Sequence, residues 1–236
     1  MTRAIEPMLQ GSRPRVATSA GAKNPQIATT ELDNMFNLYS FVQQFQPNST
    51  IVLHGDPASM IYRVESGTVR CCTIGADGSH QIFCFSNKAD FIGISDIEQW
   101  HFTAEAVDCV TLRALPRDVV ERELKVNVQL RYEFRLKLVQ LLQRREEQLL
   151  TMITKKAPER LFRFLCDFAS ARHHAHGGAI ALPMCRRDIA DHLGLSVETV
   201  SRAFSELKRS GQIELITCEK FRIPTPPDTK SLMMVG

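Results

Sequence analysis

The stretch LGLSVETVSRAFSEL, residues Leu193 to Leu207, constrains the chain more tightly than any other. Gly194 can adopt the left-handed conformation that ends a helix, and Ser196 is a side chain suited to cap the next one by accepting an unpaired backbone N–H. From there Val200, Ala203, Phe204 and Leu207 recur at i, i+3, i+4 and i+7, a single apolar stripe on a helix. Upstream, Arg186 to Leu193 carries Ile189, Ala190 and Leu193 on the same plan, with Ala190 small where two helices must approach and Leu195 placed to fill the gap. Two short helices joined at a glycine, each apolar on one side, must pack on one another with helix-turn-helix spacing.

The polar side of the second helix then needs a use. A helix in the DNA major groove leads with its first turns, here Val197, Glu198, Ser201 and Arg202. Arg202 can donate two hydrogen bonds to guanine, Glu198 can accept from a cytosine amino group, and Val197 can lie against a thymine methyl. Arg186, Arg187, Ser196, Thr199, Ser205 and Lys208 are candidates for the phosphate backbone. The competing reading is that Glu198 and Arg202, four apart, form a surface ion pair. After Lys208-Arg209-Ser210-Gly211 come QIELI and EKFRIP, two short strands around Thr217 and Cys218, the wing of a winged helix.

Charge agrees with an anionic partner for this part. The net charge is +3, but residues 1–154 hold 16 Lys+Arg against 17 Asp+Glu, and residues 155–236 hold 13 against 9.

Other segments have other rhythms. Residues 1–30, with Pro7, Pro14 and Pro25 and few large apolar side chains, read as a flexible arm. Residues 31–116 read as an antiparallel β-roll, because from about Phe45 short β-type runs alternate with Gly-Asp, Ser-Gly and Asp-Gly turns, Asp77-Gly78 being the strongest hairpin signal. Residues 117–154 contain neither proline nor glycine up to Ile153 and carry apolar residues three or four apart at Leu124, Val128, Leu138, Leu142, Leu149 and Ile153. One helix of roughly 50 Å is expected there, longer than a small domain needs and suited to pairing in a dimer. Lys155-Lys156-Ala157-Pro158 breaks it, and ERLFRFLCDFASA opens the DNA-binding part, residues 155–236. The expected class is therefore α+β: a β-roll, a dimerisation helix through Val128, Leu138, Leu142, Leu149 and Ile153, and a C-terminal winged helix-turn-helix.

In this order of parts, and in PMCRRDIADHLGLSVETVSRAFSELKRSGQIEL above all, the chain resembles the CRP/FNR family of bacterial transcription regulators from about Leu38 to Pro224, with E-T-V-S-R similar to the FNR and FixK subgroup. The likeness implies a homodimer that binds double-stranded DNA at a palindrome of the TTGAT-N4-ATCAA type, reads bases with Glu198, Ser201 and Arg202, and activates by contact with RNA polymerase. It also suggests low-oxygen respiration or nitrogen-fixation genes as targets. Cyclic-nucleotide binders of the family use a Gly-Glu pair and an Arg-Ser for the cyclic phosphate, whereas Ile94 follows Gly93 here and Phe102-Thr103 stand near the Arg-Ser position. Without that arginine the phosphate has no bidentate partner. The first cysteine is Cys71, so the N-terminal cluster that holds an FNR-type [4Fe–4S] centre is missing, and no cofactor is expected.

The seven cysteines are scattered and read as reduced thiols. Cys185, just before the first motif helix and beside Arg186 and Arg187, is a candidate redox thiol. Cys71 and Cys72 alternate faces in a strand, so at most one should be exposed, and His173, His174 and His176 read as a solvated loop. No nucleophile elbow, phosphate loop, dinucleotide fingerprint or HExxH points to an enzyme. The alternatives are a regulator with a small-molecule or haem pocket in the roll, and a cyclic-nucleotide-binding subunit, which would need the missing arginine. No apolar run approaches the roughly 20 residues that span a bilayer, so a cytoplasmic protein without membrane contact is expected.

Overall fold

The structure, a computed structural model, describes residues 30–75, 80–96, 98–172 and 178–224. It begins with a helix inside the span read as β-roll, α1 (Glu31–Tyr39). Thr30 Oγ1 accepts the Asp33 N–H at 3.1 Å while the Asp33 carboxylate accepts the Thr30 N–H, a capping box, and Leu32, Met35 and Phe36 are buried. The arm read over residues 1–30 lies, but for Thr30, outside the described residues.

Among the described residues eight strands follow: β1 (Phe41–Phe45), β2 (Thr50–Val52), β3 (Met60–Ser66), β4 (Val69–Ile74), β5 (His80–Ser86), β6 (Phe91–Ile92), β7 (Thr103–Ala106) and β8 (Val110–Pro116). They form two four-stranded antiparallel sheets, β1-β8-β3-β6 and β2-β7-β4-β5, with Val52, Val64, Val69, Ala104 and Leu112 among the residues enclosed between them. Gly67, at φ +85°, is required twice over, because a Cβ there would stand 2.5 Å from the Cys109 carbonyl oxygen. The Asp77-Gly78 turn lies outside the described residues, but the strands flanking it pair as expected, Ile74 opposite His80.

Rings fill the centre of the roll. Trp100 stands 6.1 Å from Tyr62 and 5.5 Å from Phe102, centroid to centroid, and Phe102 meets Phe83 edge-on. Trp100 packs against Gly93, where a Cβ would come within 2.3 Å of the indole.

The single helix expected between Arg117 and Ile153 is in fact two, α2 (Arg117–Val126) and α3 (Val128–Thr154). Asn127 between them leaves the helical region at φ −101°, ψ 105°; its Oδ1 accepts the Leu130 N–H at 3.0 Å and its Nδ2 donates to Glu31 of α1 at 2.9 Å. That amide does for the second helix what a Ser or Asp cap would do. The 27 residues of α3 span about 40 Å. Val128, Leu142, Leu149 and Ile153 are exposed on it, as are Tyr132, Leu136, Val139 and Leu150, which the spacing argument passed over. Leu138 is half-buried and lines the cleft beside the roll, whose wall also includes Leu142.

The last part contains α4 (Ala157–Ala171), β9 (Ile180–Ala181), α5 (Arg186–Leu193), α6 (Val197–Arg209), β10 (Glu214–Thr217) and β11 (Lys220–Arg222). Leu161, Leu165 and Phe168 of α4 close over Ile189, Val200, Phe204 and Leu207, a core separate from that of the roll. The wing has a third strand not anticipated from the sequence: β9 pairs with β11, placing Phe221 opposite Ile180 in the order β10-β11-β9. Residues 173–177, including His173, His174 and His176, lie outside the described residues.

Candidate nucleic-acid interface

Local chemistry sets the angle between α5 and α6. Cys185 caps α5, its sulfur accepting the Asp188 N–H at 3.4 Å while Asp188 Oδ2 accepts the Cys185 N–H at 3.1 Å. Gly194 ends the helix at φ +63°, ψ 43°, and the Leu195 N–H returns to the Ala190 carbonyl at 3.0 Å. Ser196 caps α6 through the Thr199 N–H at 3.1 Å. Ile189, Ala190, Val200, Ala203, Phe204 and Leu207 are all buried, so the two helices are held by a continuous apolar seam.

The outward side of α6 is polar throughout. Glu198, Ser201, Arg202 and Ser205 are exposed there, together with Lys208. Ser201 and Ser205 donate to the carbonyls of Val197 and Ser201, four residues back, which keeps both hydroxyls close to the helix surface. Glu198 does not pair with Arg202: among the described residues no ion pair joins them. Its carboxylate instead takes its own backbone N–H and the Ser196 hydroxyl, which hold it below the usual glutamate range. Arg202 is exposed, and among the described residues no carboxylate pairs with its guanidinium. Val197 and Thr199 are half-buried at the first turn. Arg209, seven residues after Arg202, is exposed on the same side; two helical turns should have flagged it in the sequence.

Arg186 is placed differently from the expectation of a phosphate contact. Its guanidinium lies over the Phe204 ring, 3.3 Å from the centroid, and donates to the Cys218 carbonyl at 3.0 Å. It thus pins the wing onto α6. Arg187 and Cys185 are exposed. At the wing tip, Thr217, Cys218 and Lys220 are exposed around the β10–β11 turn.

The back of α5 rests on the roll. Arg70 of β4 reaches Asp188 at 3.3 Å and Glu105 at 2.8 Å, and Gln81 of β5 donates to the Asp191 carbonyl at 2.6 Å. His192 sits between Phe85 and Phe164 and donates to the Ile82 carbonyl at 3.3 Å. Burial depresses its pKa to about 4, against the opposing pull of that carbonyl and with help from Arg145. A cleft of about 1330 Å³ opens beside this joint, between β5, α3 and α4, with Phe83, Cys84, Leu138, Arg145 and Phe164 in its wall.

The adjacent cysteines do point to opposite sides, yet both are buried. Cys71 lies opposite Cys84 in the β4–β5 ladder. The Cys71 thiol, together with Arg145, lowers Cys84 to about 6 against its burial. Cys72, on the other side, is covered where α5 lies on the sheet, a contact no strand pattern announces.

Comparison with known proteins matches both halves of this architecture. Residues 42–127 match the cyclic nucleotide-binding domain family and residues 159–228 the Crp-like helix-turn-helix domain family. The chain is 36% identical over 174 residues to the nitrogen fixation regulation protein FixK of Azorhizobium caulinodans, covering 72% of this chain and 70% of that protein. It is 30% identical to the transcriptional activator protein FnrA of Stutzerimonas stutzeri, covering 78% and 77% respectively. The solved structure of FixK2 from Bradyrhizobium japonicum superposes with a TM-score of 0.74 at 30% identity, over 80% of this chain and 94% of that one.

Proposed function

The chain belongs to the CRP/FNR family of transcription regulators, in its FixK-like branch, and from this premise we propose that it acts as a homodimer reading a TTGAT-N4-ATCAA-like palindrome in double-stranded DNA. The observation that carries the reading is the outward side of α6, where Arg202 is exposed beside Glu198 and Ser201 over a fully buried apolar stripe. Arg202 takes guanine through O6 and N7, Glu198 takes a cytosine amino group, and Val197 meets a thymine methyl. Arg187, Ser196, Thr199, Ser205 and Lys208 hold phosphates, while Arg186 contributes by fixing the wing.

The apolar stripe on α3 supports pairing of two copies, since eight large apolar side chains from Val128 to Ile153 are exposed on one helix. Pairing sets two α6 helices one turn of DNA apart, which is what a palindrome requires. The likeness to FixK and FnrA supports a cytoplasmic activator that contacts RNA polymerase, with low-oxygen or nitrogen-fixation genes among its targets.

In this reading neither cyclic AMP nor an iron–sulfur cluster is used. At the position where a cyclic phosphate needs an arginine, Phe102 is packed against Trp100 and Phe83, and Thr103 Oγ1 accepts the His54 N–H at 3.2 Å.

The deciding experiment is binding to a TTGAT-N4-ATCAA duplex at fixed salt, in air and without added ligand, for the parent and Arg202→Ala. Tight specific binding that the substitution weakens by about 1–3 kcal/mol is expected, the worth of a bidentate base contact. Binding indifferent to Arg202 would remove the reading.

A further inference from the structure

Strand register brings three unlike donors together on the side of the roll that faces α5. On that side of β4 stand Arg70 and Cys72, with Thr103 of β7 and Ile82 of β5 directly opposite Cys72. Two residues along each neighbour lie Glu105, opposite Arg70, and His80, opposite Ile74. Cys72 therefore has a carboxylate on one diagonal and an imidazole on the other, a separation that long side chains bridge. They do so here: Cys72 Sγ, a ring nitrogen of His80 and a carboxylate oxygen of Glu105 all lie within 4.8 Å of one another, with Sγ 3.8 Å from His80 Nδ1.

We propose that Cys72, His80 and Glu105 form a site for a thiophilic divalent cation, Zn²⁺ by its chemistry, at the joint between the roll and the DNA-reading helices. Bonds of about 2.3 Å to sulfur and 2.0 Å to nitrogen set tetrahedral ligands about 3.5 Å apart, close to the 3.8 Å that separates Cys72 Sγ from His80 Nδ1. One thiolate, one imidazole and one carboxylate suit Zn²⁺ over Mg²⁺ or Ca²⁺, which take oxygen. Coordination displaces the Cys72 thiol proton to solvent, and the thiolate and Glu105 together neutralise the ion. Arg70 already holds Glu105 Oε2 at 2.8 Å and leaves the other oxygen available, acting as the outer partner that aims the ligand. Asp188 and Asp191 of α5 face this cluster, so its surroundings carry further negative charge.

Position gives the site its consequence. Arg70 divides its guanidinium between Glu105 and Asp188, and Asp188 is the residue that closes the cap on α5. A cation that draws on Glu105 changes what Arg70 offers Asp188, and so reaches the start of the helix-turn-helix from the roll.

The test is titration of chelator-treated full-length protein with Co²⁺, followed by its thiolate charge-transfer absorption in the near ultraviolet and its ligand-field bands in the visible. One Co²⁺ per chain with both features is expected, bleached by stoichiometric Zn²⁺. Cys72→Ser should abolish the thiolate feature, whereas Cys84→Ser and Cys185→Ser should keep it. His80→Ala, at the end of a hairpin strand, should raise the Kd by at least the roughly tenfold that loss of an outer partner alone costs. A parent without the thiolate feature, a Cys72→Ser protein that retains it, or a folded His80→Ala protein that binds Co²⁺ as the parent does would each overturn the proposal. None of these readouts involves DNA, so they stand or fall apart from the operator reading.

Discussion

Helices α3 and α6 are built alike on the inside and oppositely on the outside. Each buries part of its surface against its own domain and leaves a long side to solvent. On α6 that side is Glu198, Ser201, Arg202, Ser205 and Lys208; on α3 it is Tyr132, Leu136, Val139, Leu142, Leu149, Leu150 and Ile153. Water tolerates the first indefinitely and penalises the second, so the two helices ask for different partners: α6 for a polyanion with hydrogen-bonding edges, α3 for another apolar surface. A second α3 is the nearest such surface, because a two-fold interface uses the same patch on both copies.

The sharpest way to break this contrast is to make α3 resemble α6. Leu150→Asp combined with Ile153→Asp should convert a dimer to a monomer in sedimentation at micromolar protein, weakening association by at least about 6 kcal/mol if four side chains lose burial. Both residues are exposed in the single chain, at 61% and 78%, so the monomer should keep the parent's far-ultraviolet circular dichroism, while its melting falls by the stabilisation that pairing had supplied. A persisting dimer would separate α3 from assembly.

The two helices are tied through α5, and there pH is the lever. His192 titrates near 6.5 when unfolded and near 4 when folded, so the unfolded chain binds the extra proton first. Its contribution, up to about 3 kcal/mol, is complete above pH 6.5 and is lost as pH falls from 6.5 toward 4. Melting of His192→Gln should lack that part of the acid slope; equal slopes in parent and variant would show that the junction does not sense this proton.

Smaller changes sharpen the description of α6 itself. Ser196→Ala removes the cap and should lower stability by about 1 kcal/mol in denaturant melts. Lys208→Ala should reduce the salt dependence of DNA binding by about one phosphate contact and leave the preference for one sequence over another intact. A loss of preference would move Lys208 from the backbone to the bases.

What could be read beforehand follows the same division. The α6 region was legible because glycine, cap and stripe fall within fifteen residues and act locally. The break at Asn127 was not, since an asparagine without proline or glycine nearby looks like any surface residue, and it is Glu31, 96 residues earlier, that engages its amide. On α3 apolar residues are dense enough for more than one stripe, and only the packing of the roll decides that Leu138 turns inward while Leu136 and Val139 turn out. Arg186 was assigned to phosphate on its charge, but Phe204, eighteen positions on, lies beneath it. By contrast α1 was within reach: Thr30 and Asp33 are a capping pair, and Leu32, Met35 and Phe36 share one side.

The Asn127 joint gives the short first helix a mechanical role. Besides the contact from Glu31, the Leu32 N–H donates to Glu133 on α3 at 2.9 Å, so α1 grips the long helix on both sides of its origin. Had α2 and α3 been one rod, its direction would have been inherited wholly from the roll. Divided, the rod is a lever whose pivot is clamped by the segment that leads into the roll, and a small rotation of α1 is magnified along some 40 Å to the far end, where the DNA-reading part is attached.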